Sequence, residues 1–158
     1  MFVALIPAKK NSTRLLGKNK RILKGKPLFK HSIESAKDSR KIKKVFVSSN
    51  DKEILSTAKK LNCETIVRPE KISGEKTSMN VVIKHFIDYL EKKKISAKYI
   101  VLLQPTSPFR KKKLIDKLIS KFLLSKKTLV TVKKENAKFL KGIVAINKKS
   151  FPIFPGYF

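Results

Sequence analysis

One cysteine, two histidines, five glycines, no tryptophan and 11 acidic residues are all that 158 positions hold of these types. The single thiol, Cys63, excludes an internal disulfide framework and fits a reducing cytoplasm. With no adjacent histidine and no metal-ligand spacing, it reads as a small packing residue. His85 falls near the apolar face of a predicted helix and is expected to pack there, while His31 has no partner at metal spacing. No apolar run approaches the roughly 20 residues needed to span a bilayer. The first run, Phe2 to Ile6, is short and stopped by Pro7, so no secretory leader is expected. Two phosphate motifs are also missing. No G-x-G-x-x-G occurs. Gly17-Lys18 looks like the end of a Walker A loop, but Ser12 stands where that motif needs glycine and Asn19 where it needs Ser or Thr.

What is abundant is lysine. The 39 basic residues comprise 34 lysines and only five arginines, and the net charge is +28. Such a charge invites a nucleic-acid reading. Base readout and bidentate phosphate grip favour arginine, however, and the lysines are scattered through predicted helices and loops. A compositional drift towards Lys and Ile explains them equally well, leaving weak nonspecific association with polyanions as the expectation. At 158 residues and 41% hydrophobic, the chain is read as one soluble domain over 1–158.

Strand-like and helix-like segments alternate along it. Strands are predicted at 2–6, 44–48, 64–67, 98–103, 128–132 and 142–146, each β-branched or aromatic with polar flanks. Helices are predicted near 27–38, 51–61, 77–93 and 111–124. Val82, Ile83, Phe86, Ile87 and Leu90 form a helical stripe, as do Leu114, Ile115, Leu118, Ile119 and Phe122. Ile42 is assigned to the apolar face trailing from the first helix. This order implies an α/β fold with a mainly parallel sheet covered on both faces. Ligands of such sheets bind beyond the strands' carboxyl ends, which selects the loops after Ile6, Val47, Val67 and Leu103. The tail from Phe151 to Phe158 is unusually apolar and suggests docking, a partner surface or an early stop.

Two of those loops carry chemistry. After Pro7 come Ala8, Lys9, Lys10, Asn11, Ser12, Thr13, Arg14 and, past two leucines and a glycine, Lys18 and Asn19. Lys9, Arg14 and Lys18 can meet phosphate charge, while Ser12 and free backbone N–H groups donate to oxygen. After Leu103 come Gln104-Pro105-Thr106-Ser107-Pro108, where two prolines stiffen the turn and Gln104 offers both donor and acceptor. A blander reading makes this a rigid turn with Ser107 capping the next helix. Lys111, Lys112 and Lys113 read as a solvated helix start.

Taken in order, the segments resemble a known family. Leu5-Ile6-Pro7-Ala8, the loop to Lys18-Asn19 and Gly25-Lys26-Pro27-Leu28 look like the opening of the CMP-N-acylneuraminate (nonulosonic acid) synthetases. Val45 to Asn50 resembles their second strand, Arg68-Pro69-Glu70 their R-P-E segment, and Leu102 to Pro108 their L-L-Q-P-T-S-P motif without a change. The resemblance covers about residues 2–132 and implies a three-layer, Rossmann-like nucleotidyltransferase fold with a mainly parallel, mixed sheet. It implies transfer of CMP from CTP to the anomeric hydroxyl of an acidic sugar, releasing pyrophosphate, in cell-surface glycan biosynthesis. Lys9 and Lys18 would be the catalytic cations on the triphosphate, with Ala8, Asn11, Ser12 and the loop amides helping. Asn19 and Arg68 would read the cytosine, and Gln104 would contact the sugar, its motif favouring nine-carbon acids. Magnesium is the implied cofactor and a homodimer the implied assembly.

The chain departs from the family pattern in several places. Lys9 stands where the family usually has Arg, losing a planar fork for phosphate. Lys10-Asn11 replace glycines, Asn50 replaces an aspartate (with Asp51 following directly), and a Ser-rich stretch survives loosely as Thr77-Ser78-Met79. The family's D-x-D-like metal segment and dimerisation insertion are missing; Glu135 is the last acidic residue. No protein ligands to the metal are therefore expected here. Three expectations follow: truncation, a separate chain that supplies the end, or a nucleotide-binding remnant with weak or lost catalysis.

Overall fold

The computed structural model describes residues 1–12, 15–110, 113–125, 129–135 and 138–147, the last 16 of these from Val130 onward as backbone alone. The chain opens with β1 (Phe2–Pro7), then a tiny hairpin of β2 (Ile22–Leu23) and β3 (Lys26–Pro27), then α1 (Leu28–Lys37). There follow β4 (Ile42–Ser49), α2 (Lys52–Lys60), β5 (Glu64–Val67), α3 (Met79–Lys92) and β6 (Tyr99–Leu103). α4 (Leu114–Ser125), β7 (Leu129–Glu135) and β8 (Lys138–Asn147) close the described residues.

Six strands form one sheet in the order β5-β4-β1-β6-β8-β7. β5, β4, β1 and β6 run parallel, whereas β8 is antiparallel to both β6 and β7. The expected mixed, mainly parallel sheet is therefore present. β1 is buried along its whole length, and its alternating side chains feed two cores. Phe2, Ala4 and Ile6 pack with Phe29 and Ile33 of α1, Ile54 of α2 and Phe122 of α4. Val3 and Leu5 pack on the opposite face with Ile83, Phe86 and Leu90 of α3. Helices on both faces thus make three layers, and the two predicted stripes are the ones buried. Among the described residues no helix is long and apolar enough to cross a membrane.

Three local expectations need correction. Ile42 does not extend the face of α1; it is the first residue of β4. β7 and β8 run on through the polar connection, because an antiparallel hairpin is held by its backbone ladder and needs no apolar alternation there. Ser107 does not cap α4, which begins only at Leu114; its N–H instead donates to the Gln104 carbonyl at 3.2 Å in a turn. Arg14, Lys111, Lys112, Thr128 and the apolar tail lie outside the described residues.

The topology decides where a site can form. From β1 the chain winds outward to β4 and β5, then returns to the other flank of β1 as β6. This reversal leaves a crevice beyond the carboxyl ends of β1 and β6, into which the loops after β1, β5 and β6 project.

Candidate functional site

A cavity of about 160 Å³ sits in that crevice. Lys9, Ser12, Lys18 and Asn19 line it from the loop after β1, and Arg68, Ser73, Gly74 and Thr77 from the segment after β5. Gln104, Pro105 and Thr106 line it from the loop after β6. Six residues picked from sequence (Lys9, Ser12, Lys18, Asn19, Arg68 and Gln104) are thus brought together. Ala8 and Asn11 are not among the lining residues. The methyl of Ala8 is core, and its N–H extends the β1–β4 ladder to Ser48 O at 2.9 Å, so that amide is already engaged. Asn11 is exposed.

The first loop is held by its own backbone. Gly17 at φ 62 adopts the left-handed conformation that opens a short 3-10 turn, Lys18–Lys20. That turn carries Asn19 inward to 6% exposure, where its Nδ2 donates to the Lys9 carbonyl at 2.8 Å. The two neighbouring lysines then differ in kind. The Lys20 ammonium pairs with Asp51 at 3.2 Å and Glu53 at 2.7 Å. Lys18 has no ion pair among the described residues and borders the cavity. Across the mouth, Lys9 Nζ donates to the Gly74 carbonyl at 3.3 Å.

Asp51 does not take the place of the missing aspartate at Asn50. Its Oδ1 accepts from the N–H groups of Glu53 and Ile54, capping α2, at 2.9 and 3.4 Å. Burial works to raise its pKa, but the Lys20 hydrogen bond and the two backbone donors prevail and hold the carboxyl below its ordinary range. Asn50 joins two loops, accepting from Lys10 N–H at 2.8 Å and donating to Glu70.

Arg68 is a buried cation of the site with an unsatisfied donor. Only 4% exposed, it donates Nε–H to Ser73 Oγ at 3.2 Å, yet its buried Nη2 has no hydrogen-bond partner. Burial pushes the guanidinium below the ordinary arginine value, with Glu70 opposing. An unsatisfied buried donor costs about 1–3 kcal/mol, a penalty that a ligand acceptor would relieve.

The cysteine and the two histidines behave as packing. Cys63 is buried and its thiol is raised by burial, away from reactivity. His31 holds the hairpin through Nε2 and the Leu23 carbonyl at 2.8 Å. His85 is half-buried, with burial and then Arg68 lowering its pKa. Among the described residues no group of three His, Cys, Asp or Glu could hold a metal, and no carboxylate lines the cavity. Those residues therefore do not fit a protein-held magnesium ion.

Sequence reasoning missed the wall made by Ser73 and Gly74. The only signal was a Ser-Gly pair shortly after Arg68-Pro69-Glu70.

Comparison with known proteins bears on the family and the fold. The N-acylneuraminate cytidylyltransferase of Escherichia coli O18:K1:H7 is 34% identical over 113 residues, 69% of this chain and 25% of that protein. The CMP-N,N'-diacetyllegionaminic acid synthase of Legionella pneumophila is 35% identical over 135 residues, 83% of this chain and 57% of that protein. The chain thus spans between a quarter and little more than half of these relatives. Among solved structures, a CMP:2-keto-3-deoxy-manno-octonic acid synthetase complexed with CTP superposes with a TM-score of 0.67, covering 94% of this chain and 74% of that one at 18% identity. A 4-diphosphocytidyl-2C-methyl-D-erythritol synthase gives 0.71, covering 98% and 80% at 9% identity. At such identities the two structures speak for the fold alone. The model of the cytidylyltransferase family matches residues 3–146, and the chain belongs to that family.

Proposed function

We propose that this chain binds CTP in the cavity beyond β1 and β6 and transfers CMP to the anomeric hydroxyl of an acidic nine-carbon sugar. The observation that carries the reading is the convergence of Lys9, Lys18, Arg68 and Gln104 on one cavity. In this reaction the sugar oxygen bonds to the α-phosphorus, the bond to the bridging oxygen breaks, and pyrophosphate leaves. The hydroxyl proton passes to water. Lys9 and Lys18 would neutralise the charge that grows on the α-phosphate and on the departing pyrophosphate. Asn19 and Arg68 would face the base, the unpaired Nη2 of Arg68 meeting a base acceptor. Gln104 would meet the sugar on the opposite wall. The excess of basic residues draws both anionic substrates towards the cleft.

Magnesium would have to arrive on triphosphate oxygens, since the described residues contribute cations and hydrogen bonds but no carboxylate to the cavity. Residue types support a cytoplasmic setting, Cys63 being free and buried. The family resemblance supports a homodimer, and the net charge of +28 supports weak polyanion association that fades with salt.

The test combines thermal shift with CTP and a pyrophosphate assay on CTP, Mg²⁺ and a panel of nonulosonic acids. A CTP-dependent rise in Tm with sugar-dependent pyrophosphate supports the reading. Stabilisation without pyrophosphate reduces it to nucleotide binding by this chain alone, and no stabilisation removes it.

A further inference from the structure

Arg110 takes no part in the cavity lining, yet it is built into the wall that presents Gln104. Its Nη2 donates to the Gln104 backbone carbonyl at 2.7 Å, and its Nη1 donates to Ser32 Oγ at 3.0 Å. Ser32 lies in α1 with no exposed surface. One guanidinium therefore spans from the first residue past β6 to a helix 78 positions earlier in sequence. The same carbonyl also accepts the Ser107 N–H at 3.2 Å, so the turn and the side chain meet on one oxygen. Beside this contact, the ring of Phe109 meets His31 of α1 edge-on at 5.9 Å between centroids. Lys24 of the hairpin places its ammonium 4.9 Å from the Phe109 ring. Both halves of the wall are thus pinned to α1.

An arginine is an expensive pin. Burial lowers the pKa of Arg110 to about 10, which still leaves it charged at neutral pH. Plain turn-making needs no such group, because Pro105 and Pro108 already restrict the backbone. What a half-buried fork adds is direction: two N–H vectors in one plane fix the Gln104 peptide relative to α1. The Cα of Gln104 and the start of its side chain move with that peptide.

We infer that Arg110 is a positioning residue for the acceptor-sugar side of the site, aiming the Gln104 side chain through its backbone carbonyl and Ser32. The inference rests on the proposed sugar contact of Gln104. The nucleotide side, carried by the loop after β1 and by Arg68, does not depend on this contact.

The experiment compares wild type, Arg110→Lys and Ser32→Ala, all as the full chain. Lysine keeps the charge and most of the stem but lacks the planar fork whose two nitrogens reach the two acceptors. A weakened sugar contact of Gln104 loses binding on the scale of one hydrogen bond, so kcat/KM for the sugar acid is expected to fall by about tenfold. The loss should lie mainly in the sugar KM, with the calorimetric Kd for CTP within about twofold of wild type. Hydrogen exchange at the Ser107 amide should speed up in both variants, and less in Ser32→Ala. Equal losses for CTP and sugar, or no loss for either, would overturn the inference. If wild type binds CTP but releases no pyrophosphate, that failure belongs to the proposed reaction. Exchange then decides: faster exchange over 104–110 with unchanged CTP affinity supports the pin, and unchanged exchange overturns it.

Discussion

The side-chain amide of Asn50 donates to both carboxylate oxygens of Glu70, at 3.1 and 3.0 Å, while its carbonyl accepts the Lys10 N–H at 2.8 Å. One neutral side chain thereby ties the loop after β1 to the segment carrying Arg68. An aspartate, which the family usually places here, could keep the Lys10 contact but would set a second carboxylate against Glu70. Asn50→Asp is therefore expected to lower stability by about 1 kcal/mol at low salt, with part regained at high salt as the two carboxylates are screened from each other. Chemical denaturation at both salt concentrations checks this. Equal losses at the two salt concentrations would contradict it.

Lys18→Ala should weaken CTP binding by about tenfold, the scale of one charge-assisted phosphate contact, while leaving Tm nearly unchanged. Lys18 has no ion pair to lose among the described residues. Lys9→Ala should weaken binding similarly and also loosen the Gly74 wall. Calorimetric titration and hydrogen exchange over residues 72–77 separate these two effects.

Arg68→Lys keeps a charge but removes both the Nε–H donated to Ser73 and the unpaired Nη2. If that nitrogen reads the base, the variant should lose about tenfold in CTP affinity and narrow the preference for CTP over UTP. Parallel titrations with both nucleotides measure it. Equal losses for CTP and UTP would mean that Arg68 serves the phosphates or the fold.

Asp51 sets an acid limb. Its folded pKa is depressed, with burial opposed by Lys20 and two backbone N–H groups. A depressed carboxylate contributes stability that is present above its unfolded pKa of about 3.9 and is lost as pH falls through the lower folded value. Asp51→Asn keeps a side-chain oxygen for the cap but loses the pairing with Lys20. It should therefore cost up to about 1 kcal/mol at pH 7, and the gap to wild type should narrow as pH falls through the lower folded value. Urea midpoints across that range test the sign.

Much of this was legible in sequence because its physics is local. Phe2 to Ile6 reads as a buried strand from composition, and Lys9, Ser12 and Lys18 share one loop, so neighbourhood in sequence becomes neighbourhood in space. The hairpin was missed although Lys24 and Gly25, both at positive φ (47 and 78), form the two-residue turn between β2 and β3. Two-residue strands leave too little pattern to see. The Lys9–Gly74 and Arg110–Ser32 contacts join residues 65 and 78 positions apart, which no spacing rule can anticipate. Asp51 shows a different limit. It directly follows Asn50 in sequence, yet one residue along the chain its side chain turns onto the end of α2.

The most direct measurement is a ³¹P NMR spectrum of the chain incubated with CTP, Mg²⁺ and a nonulosonic acid. The account predicts that the α-phosphorus signal of CTP gives way to a phosphodiester as an equal amount of pyrophosphate appears, and that Lys18→Ala slows both. An unchanged CTP spectrum, or conversion to CMP without a sugar ester, would contradict it.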